Sequence, residues 1–244
     1  MKCSAVCECC YIYQNYESIE DKCPSLLFYP ENDLRIYKDM LIEYNKKFNL
    51  TAIKTDEGIY LKHFYDSLTF TKAINLDSEL NLLDIGTGAG FPGIVLKIFY
   101  PNLNITLLDS NNKKITFLNE VIKELKLENI NCIYGRAEEL PNNYREYFDI
   151  VTSRAVANLR VLAELSIPYV KVGGYFISMK GNAELEIEEA KKTIEIMKCK
   201  IANVEKFLLP IENSTRNIIK IEKLDITPTI YPRKYDQIVK KSIK

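Results

Sequence analysis

Polar and apolar residues alternate along this chain with two distinct periods. In residues 33–48, DLRIYKDMLIEYNKKF, Leu34, Tyr37, Met40 or Leu41 and Tyr44 fall at helical spacing, and residues 56–74 repeat the pattern with Ile59, Phe64, Leu68 and Ala73 among charges. Such spacing lines one face of a helix, so the front of the chain is expected to be helical. From residue 80 the pattern changes. LNLLDIG, NITLLDS, NINCIYG, YFDIVTSRA and GGYFISMKG read as buried strands. PGIVLKIFY, NNKKITFLNEVIKELKL and a stretch around 159–170 read as the helices between them. Residues 183–198 form another amphipathic helix, followed by the strand-like ANVEKFLLP and RNIIKIEKL. Strands alternating with helices predict a mostly parallel sheet covered on both faces, a doubly wound α/β fold. In such folds ligands sit at the carboxyl ends of the strands.

The glycines of LLDIGTGAGFPGI fall at that place. Gly86, Gly88 and Gly90 follow the first strand, and glycines there form a plain turn or let the backbone approach a ligand. Asp109 ends the second strand, where an acidic side chain accepts hydrogen bonds from ribose hydroxyls; DSNNKK also suits a helix cap. The paired placement favours a nucleoside. A dinucleotide cofactor prefers G-x-G-x-x-G, whereas here the third glycine comes one residue early and Phe91-Pro92 follow. No Gly-Lys-Ser/Thr completes a phosphate loop. The turn suits a ligand without a pyrophosphate, such as S-adenosylmethionine, whose methionine tail can lie over it.

Composition narrows the class. With 244 residues, 47% hydrophobic and 27% charged, the chain has the make-up of a globular protein with a sizeable core. Lys plus Arg equals Asp plus Glu at 33 each, so a nucleic-acid partner would need a local basic face. No apolar run approaches the roughly 18 residues of a membrane span. Of seven cysteines, Cys3, Cys7, Cys9, Cys10 and Cys23 crowd the first residues. Cys7 and Cys10 have C-x-x-C spacing but lack a second ligand pair, so no metal is expected and the leader 1–30 reads as reduced and poorly ordered. These features fit a cytoplasmic protein. The division expected is this leader, a helical section 31–76, an α/β domain 77–226 and a basic tail 227–244.

NLTAI at 49–53, HFYDSL at 63–68, LLDIGTGAGFPGI at 82–94, LLDSNNKKITFL at 107–118, GRAEEL at 135–140, DIVTSRAVANL at 149–159 and PRK at 232–234 stand in order. Together they resemble the bacterial ribosomal RNA small subunit methyltransferase G family, also called glucose-inhibited division protein B. The resemblance spans roughly residues 33–234. It implies a Rossmann-like class I S-adenosylmethionine-dependent methyltransferase sheet behind an N-terminal helical section. It also implies methylation of one guanine N7 in 16S rRNA of the small ribosomal subunit, by a protein expected to act as a monomer.

Carried over by residue, the cofactor contacts fall on Gly86, Phe91, Ala137, Glu138 and Arg154, beside Gly88, Gly90 and Asp109 of the turn and second strand. Glu138 could accept from the adenine amino group and Ala137 give a backbone N–H to a ring nitrogen. RAEEL also suits a solvated helix start. Arg154 stands where substrate meets cofactor and could equally form an ion pair with Asp84 or Asp109. His63 is a candidate substrate residue or an interhelical hydrogen-bonding contact. Lys180 and Arg216 are candidate rRNA contacts. In the tail, Arg233, Lys234, Lys240, Lys241 and Lys244 face one acid, Asp236, and Arg233 and Lys234 are candidates for phosphate. The tail itself departs from the family. After YPRK the family carries glycine and proline, whereas this chain reads YDQIVKKSIK. The attack of guanine N7 needs no general base, and no catalytic acid or base is assigned. A methyltransferase acting on a small molecule or protein, or a non-catalytic adenosyl-ligand module, stays open on these residues.

Overall fold

The structure is a computed structural model that describes residues 30–154, 157–241 and 243. The early cysteines lie outside the described residues. Helix α1 (Glu31–Phe48) has acids in its first turn and Lys46 and Lys47 in its last, matching the helix dipole, and ends on left-handed Asn49. Its buried face is Leu34, Tyr37 and Leu41. The second helical segment is not one regular helix. Thr55 caps α2 (Asp56–Ile59), which passes through a π-helical stretch, Tyr60–Tyr65, into α3 (Asp66–Leu68) and a 3-10 turn, Thr69–Lys72. The wide stretch contains His63, and π-helical insertions recur at functional sites.

Seven strands follow: β1 (Asn81–Ile85), β2 (Asn104–Asp109), β3 (Ile130–Tyr134), β4 (Phe148–Arg154), β5 (Val170–Lys180), β6 (Cys199–Leu208) and β7 (Thr215–Lys223). They form one sheet in the order β3-β2-β1-β4-β5-β7-β6. The first five run parallel, and β7 pairs antiparallel with both β5 and β6. Helices α4 (Gly93–Phe99), α5 (Asn112–Glu124), α6 (Leu159–Ser166), α7 (Glu184–Ile196) and α8 (Tyr235–Lys240) complete it.

Strand alternation divides the core in two. Leu82, Ile105 and Ile150 face a cluster shared with α1, α4 and α5. Leu83, Val151 and Phe176 face one shared with α6, α7 and the C-terminal segment. Period-2 placement of buried side chains on a two-sided sheet requires both covers.

The C-terminal segment, expected as a basic tail, is part of that second cover. Thr227, Tyr231, Ile238 and Ile243 are buried. Arg145 donates to the carbonyls of Thr227, Pro228 and Tyr231, and Arg160 to that of Ile238. Arg233 clamps Glu164 of α6, which is 0% exposed. The Arg233 Nε and Nη2 donate to the two carboxylate oxygens at 2.7 Å each, and its backbone N–H adds a third bond at 3.1 Å. Its guanidinium is therefore committed to the fold instead of to phosphate.

Removing one partner of such a pair strands a buried charge. Arg233→Met should lower the free energy of unfolding in urea by about 3–5 kcal/mol, and Arg233→Met with Glu164→Met should recover most of it. Equal stability of the single variant and the parent would show that the pair does not anchor the segment.

Candidate functional site

A cleft of about 560 Å³ opens across the carboxyl ends of the first four strands. Because the order is β3-β2-β1-β4, its walls can be followed strand by strand.

At β1, Gly86, Gly88 and Gly90 all have positive φ, of 67°, 65° and 101°. Gly86 and Thr87 N–H groups both donate to Leu108 O, tying the turn to β2. A Cβ on Gly88 would meet nothing nearer than Gly86 O at 3.9 Å and Lys114 Nζ at 4.0 Å, so it would project into the cleft. Gly90 differs from this expectation. A Cβ there would strike Ile94 and the Tyr37 hydroxyl at 2.6 Å, so Gly90 is required by packing and does not line the cleft. The close helix–strand approach falls to Gly93, where a Cβ would lie 2.3 Å from Leu107 Cδ2. Asp84, fully buried, accepts from Thr87 Oγ1 at 2.7 Å and Gly93 N at 3.0 Å through one oxygen. Its other oxygen is buried with no hydrogen-bond partner. Burial pushes this carboxyl up to about 7.

At β2, Asp109 accepts from Gly88 N at 2.9 Å and Asn111 N at 2.9 Å, with Lys114 Nζ at 3.4 Å. The cap of α5 is Asn111, whose side chain accepts from Lys113 N. Asp109 thus braces the glycine turn and lines the cleft. At β3, Ala137 and Glu138 begin a 3-10 turn, Ala137–Glu139, and both line the cleft. The Tyr169 hydroxyl donates to Ala137 O, and Arg136 Nε donates to Glu138 Oε1 at 2.8 Å.

At β4 five charged or aromatic side chains converge: Arg154, Asp66, Arg216, His63 and Phe91. Arg154 Nη1 donates to Asp66 Oδ2 at 3.0 Å and to Lys62 O at 3.1 Å. The expected partners Asp84 and Asp109 are replaced by Asp66, whose other oxygen takes Arg216 Nε at 2.8 Å. Arg154 Nη2 lies 3.1 Å from His63 Nδ1, and the His63 ring stacks on Phe91 at 4.3 Å with 5° between planes. A guanidinium only donates, so Nδ1 is the acceptor and the His63 proton sits on Nε2, facing Thr51 Oγ1 at 2.8 Å. Burial, then the Arg154 and Lys62 charges, lower the His63 pKa to about 3.

The candidate RNA residues divide. His63 and Arg154 line the cleft, whereas Arg216 does not and is joined to Arg154 only through Asp66. Lys180 does not project outward: its ammonium is bonded to Ala157 O and lies 2.9 Å from Glu186, with the side chain 8% exposed. An ammonium satisfied and covered in this way has no face for phosphate. Lys234 is exposed. Asp66, Thr51, Lys114 and Tyr235 were not singled out by the sequence, although Asp66 stands inside HFYDSL, Thr51 inside NLTAI and Lys114 inside LLDSNNKKITFL; Tyr235 carries no local signal. Among the described residues no group of three or more His, Cys, Asp or Glu could hold a metal, and no helix is long and apolar enough to cross a membrane.

The donor set fits S-adenosylmethionine. The Gly88 position leaves a cradle that a side chain would fill, and carboxylates line the cleft at the β2 and β3 ends.

Comparison with known proteins agrees. A family model described as rRNA small subunit methyltransferase G, GidB, matches residues 30–218. Relatives named ribosomal RNA small subunit methyltransferase G include one from Acetivibrio thermocellus, 52% identical over 81% of this chain and 82% of its own. Another, from Alkaliphilus metalliredigens, is 45% identical over 93% of this chain and 98% of its own. Among solved structures, M. jannaschii TYW2 in complex with AdoMet aligns with a TM-score of 0.56 at 17% identity, covering 71% of this chain and 80% of that one. Precorrin-6y C5,15-methyltransferase from Geobacter metallireducens aligns at 0.52 and 18%, covering 65% and 87%. At those identities the likeness is one of fold, the Rossmann-like class I methyltransferase fold. The family model and the relatives go further: the chain belongs to the ribosomal RNA small subunit methyltransferase G family.

Proposed function

We propose that this chain transfers a methyl group from S-adenosylmethionine to N7 of a guanine in the 16S rRNA of the small ribosomal subunit. It works in the cytoplasm and as a monomer. The observation that carries the reading is a cleft graded from carboxylates at β2 and β3 to a cationic, base-free pocket at β4, in a chain of this family. Gly86, Gly88, Asp109, Ala137 and Glu138 would hold the cofactor, with Asp84 beneath the turn. Phe91, His63 and Arg154 would border the place where the base meets it.

When bound, the cofactor supplies an electrophilic methyl group on a sulfonium sulfur. Guanine N7 offers a lone pair without a proton, so the protein has none to remove. The residues at β4 suit this. His63 is neutral with both nitrogens engaged, and Asp66 is held by two arginines, so neither serves as a base. What the chain contributes is alignment: the stacked His63–Phe91 pair and the fixed Arg154 guanidinium restrict where a base can lie. Orientation of this kind is worth effective molarities of about 10⁵–10⁸ M in favourable cases. Labelled S-adenosylmethionine with naked 16S rRNA, intact small subunits, tRNA and lysate tests the substrate. Label confined to tRNA or lysate protein would overturn the assignment.

Gly88→Val should abolish calorimetrically detectable cofactor binding, because its side chain enters the cleft. The strain of a β-branched residue at positive φ should cost about 1–3 kcal/mol of stability, leaving a folded protein. Undiminished affinity in that variant would remove the turn from the site.

Two pH profiles separate binding from chemistry. Burial pushes the Asp84 carboxyl up to about 7, and a cationic ligand in the cleft above it favours its ionised form. Cofactor affinity should therefore rise as pH climbs from about 6 to about 8, and Asp84→Asn should flatten that rise. The single-turnover rate at saturating RNA and cofactor should instead be flat from about pH 6.5 to 8.5, since no base must be deprotonated in that window. His63→Ala should leave that rate profile flat. A rate climbing with pH, and levelling with an ionisation that disappears in His63→Ala, would mean that a proton is abstracted and that N7 is not the target.

A further inference from the structure

The β3 end of the cleft is closed by a residue from the C-terminal helix. Tyr235 opens α8 and lines the cleft together with Gly135, Arg136, Ala137 and Glu138. Its ring centroid lies 4.9 Å from the Arg136 guanidinium carbon. That guanidinium donates to Glu138, whose side chain is 8% exposed. Two residues earlier, the Arg233–Glu164 clamp fixes where α8 starts. Tyr235 is thus joined to the cleft directly as a wall and indirectly through Arg136 to a carboxylate. Tyr235 lies beyond residue 218, where the match to the family model ends.

We propose that Tyr235 is a specificity-determining residue of the cofactor site, walling the purine end of the cleft and, through Arg136, holding Glu138 to accept from a purine amino group. The inference rests on the reading of the cleft as the S-adenosylmethionine site. An aromatic face packs against any purine. A fixed carboxylate discriminates, because a keto oxygen in place of the amino group sets two acceptors against each other. Without the ring, Arg136 loses its support on the tail side and Glu138 loses its fixed direction.

The test is calorimetric titration of the full chain with S-adenosylhomocysteine and S-inosylhomocysteine, which differ in the purine amino group. The parent should prefer the adenosyl ligand. Tyr235→Ala should weaken adenosyl binding by about tenfold, the scale of a lost stacking wall, and should also narrow the preference between the two ligands. Tyr235→Phe, which keeps the ring, should retain both affinity and preference. If Tyr235→Ala does not fold, Arg136→Met leaves the tail in place and should narrow the same preference. An unchanged preference in a folded Tyr235→Ala or Arg136→Met variant overturns the proposal. Failure of the parent to bind either ligand overturns the cofactor-site reading itself, and the proposal with it.

Discussion

The carboxyl group of Asp84 joins the end of β1 to the start of α4 from inside the protein. One of its oxygens takes both the Thr87 hydroxyl and the Gly93 amide, so strand, turn and helix are drawn to a single point. The tightness of that point removes space for a side chain at Gly93. It also sets the height of the turn under the cleft. From above, the Tyr37 hydroxyl donates to Ala89 O, and its ring lies 5.4 Å from Phe64 and 5.5 Å from Phe91. The N-terminal helical section is therefore packed directly on the glycine turn and shares its core. A buried carboxyl is expensive unless its hydrogen bonds are satisfied. For Asp84 the protein itself supplies partners to one oxygen and none to the other.

Charge is arranged with similar economy at β4. The chain is neutral overall, with net charge +0. Yet two guanidinium groups share the single Asp66 carboxylate while His63 stays uncharged, leaving a local positive excess beside the cleft. A small excess of this kind attracts an anionic polymer without a basic face over the whole molecule. It also explains why overall composition gave no sign of a nucleic-acid substrate.

The alternation of strands and helices was legible because each buried strand of a parallel sheet is an apolar run and each covering helix has its own period. The helix over 33–48, the glycine turn and the strand-end position of Asp109 are legible on that basis. The antiparallel direction of β7 was not, since an apolar run has no arrow. The packing roles of Gly90 and Gly93 were not legible either, because a packing glycine is recognised by its neighbours: Tyr37 and Ile94 for one, Leu107 for the other. Lys180 and Arg233 looked like surface cations because their partners, Glu186 and Glu164, come from other elements. The tail read as basic by counting lysines, while its anchoring rests on Tyr231, Ile238 and backbone carbonyls. Within HFYDSL, Asp66 carries no mark of its role for the same reason: its meaning comes from Arg154 and Arg216, 88 and 150 residues away.

That last separation orders events during synthesis. Asp66 leaves the translating ribosome long before Arg216 does, and contacts so distant along the chain form late because the intervening loop must first be closed. A nascent chain can complete its first strands and the glycine turn while β7 has yet to be made. The Asp66 carboxylate then lacks one of its two cations. Only a chain extended beyond residue 216 assembles the whole constellation, so partial products of translation carry the outline of the site without its second arginine.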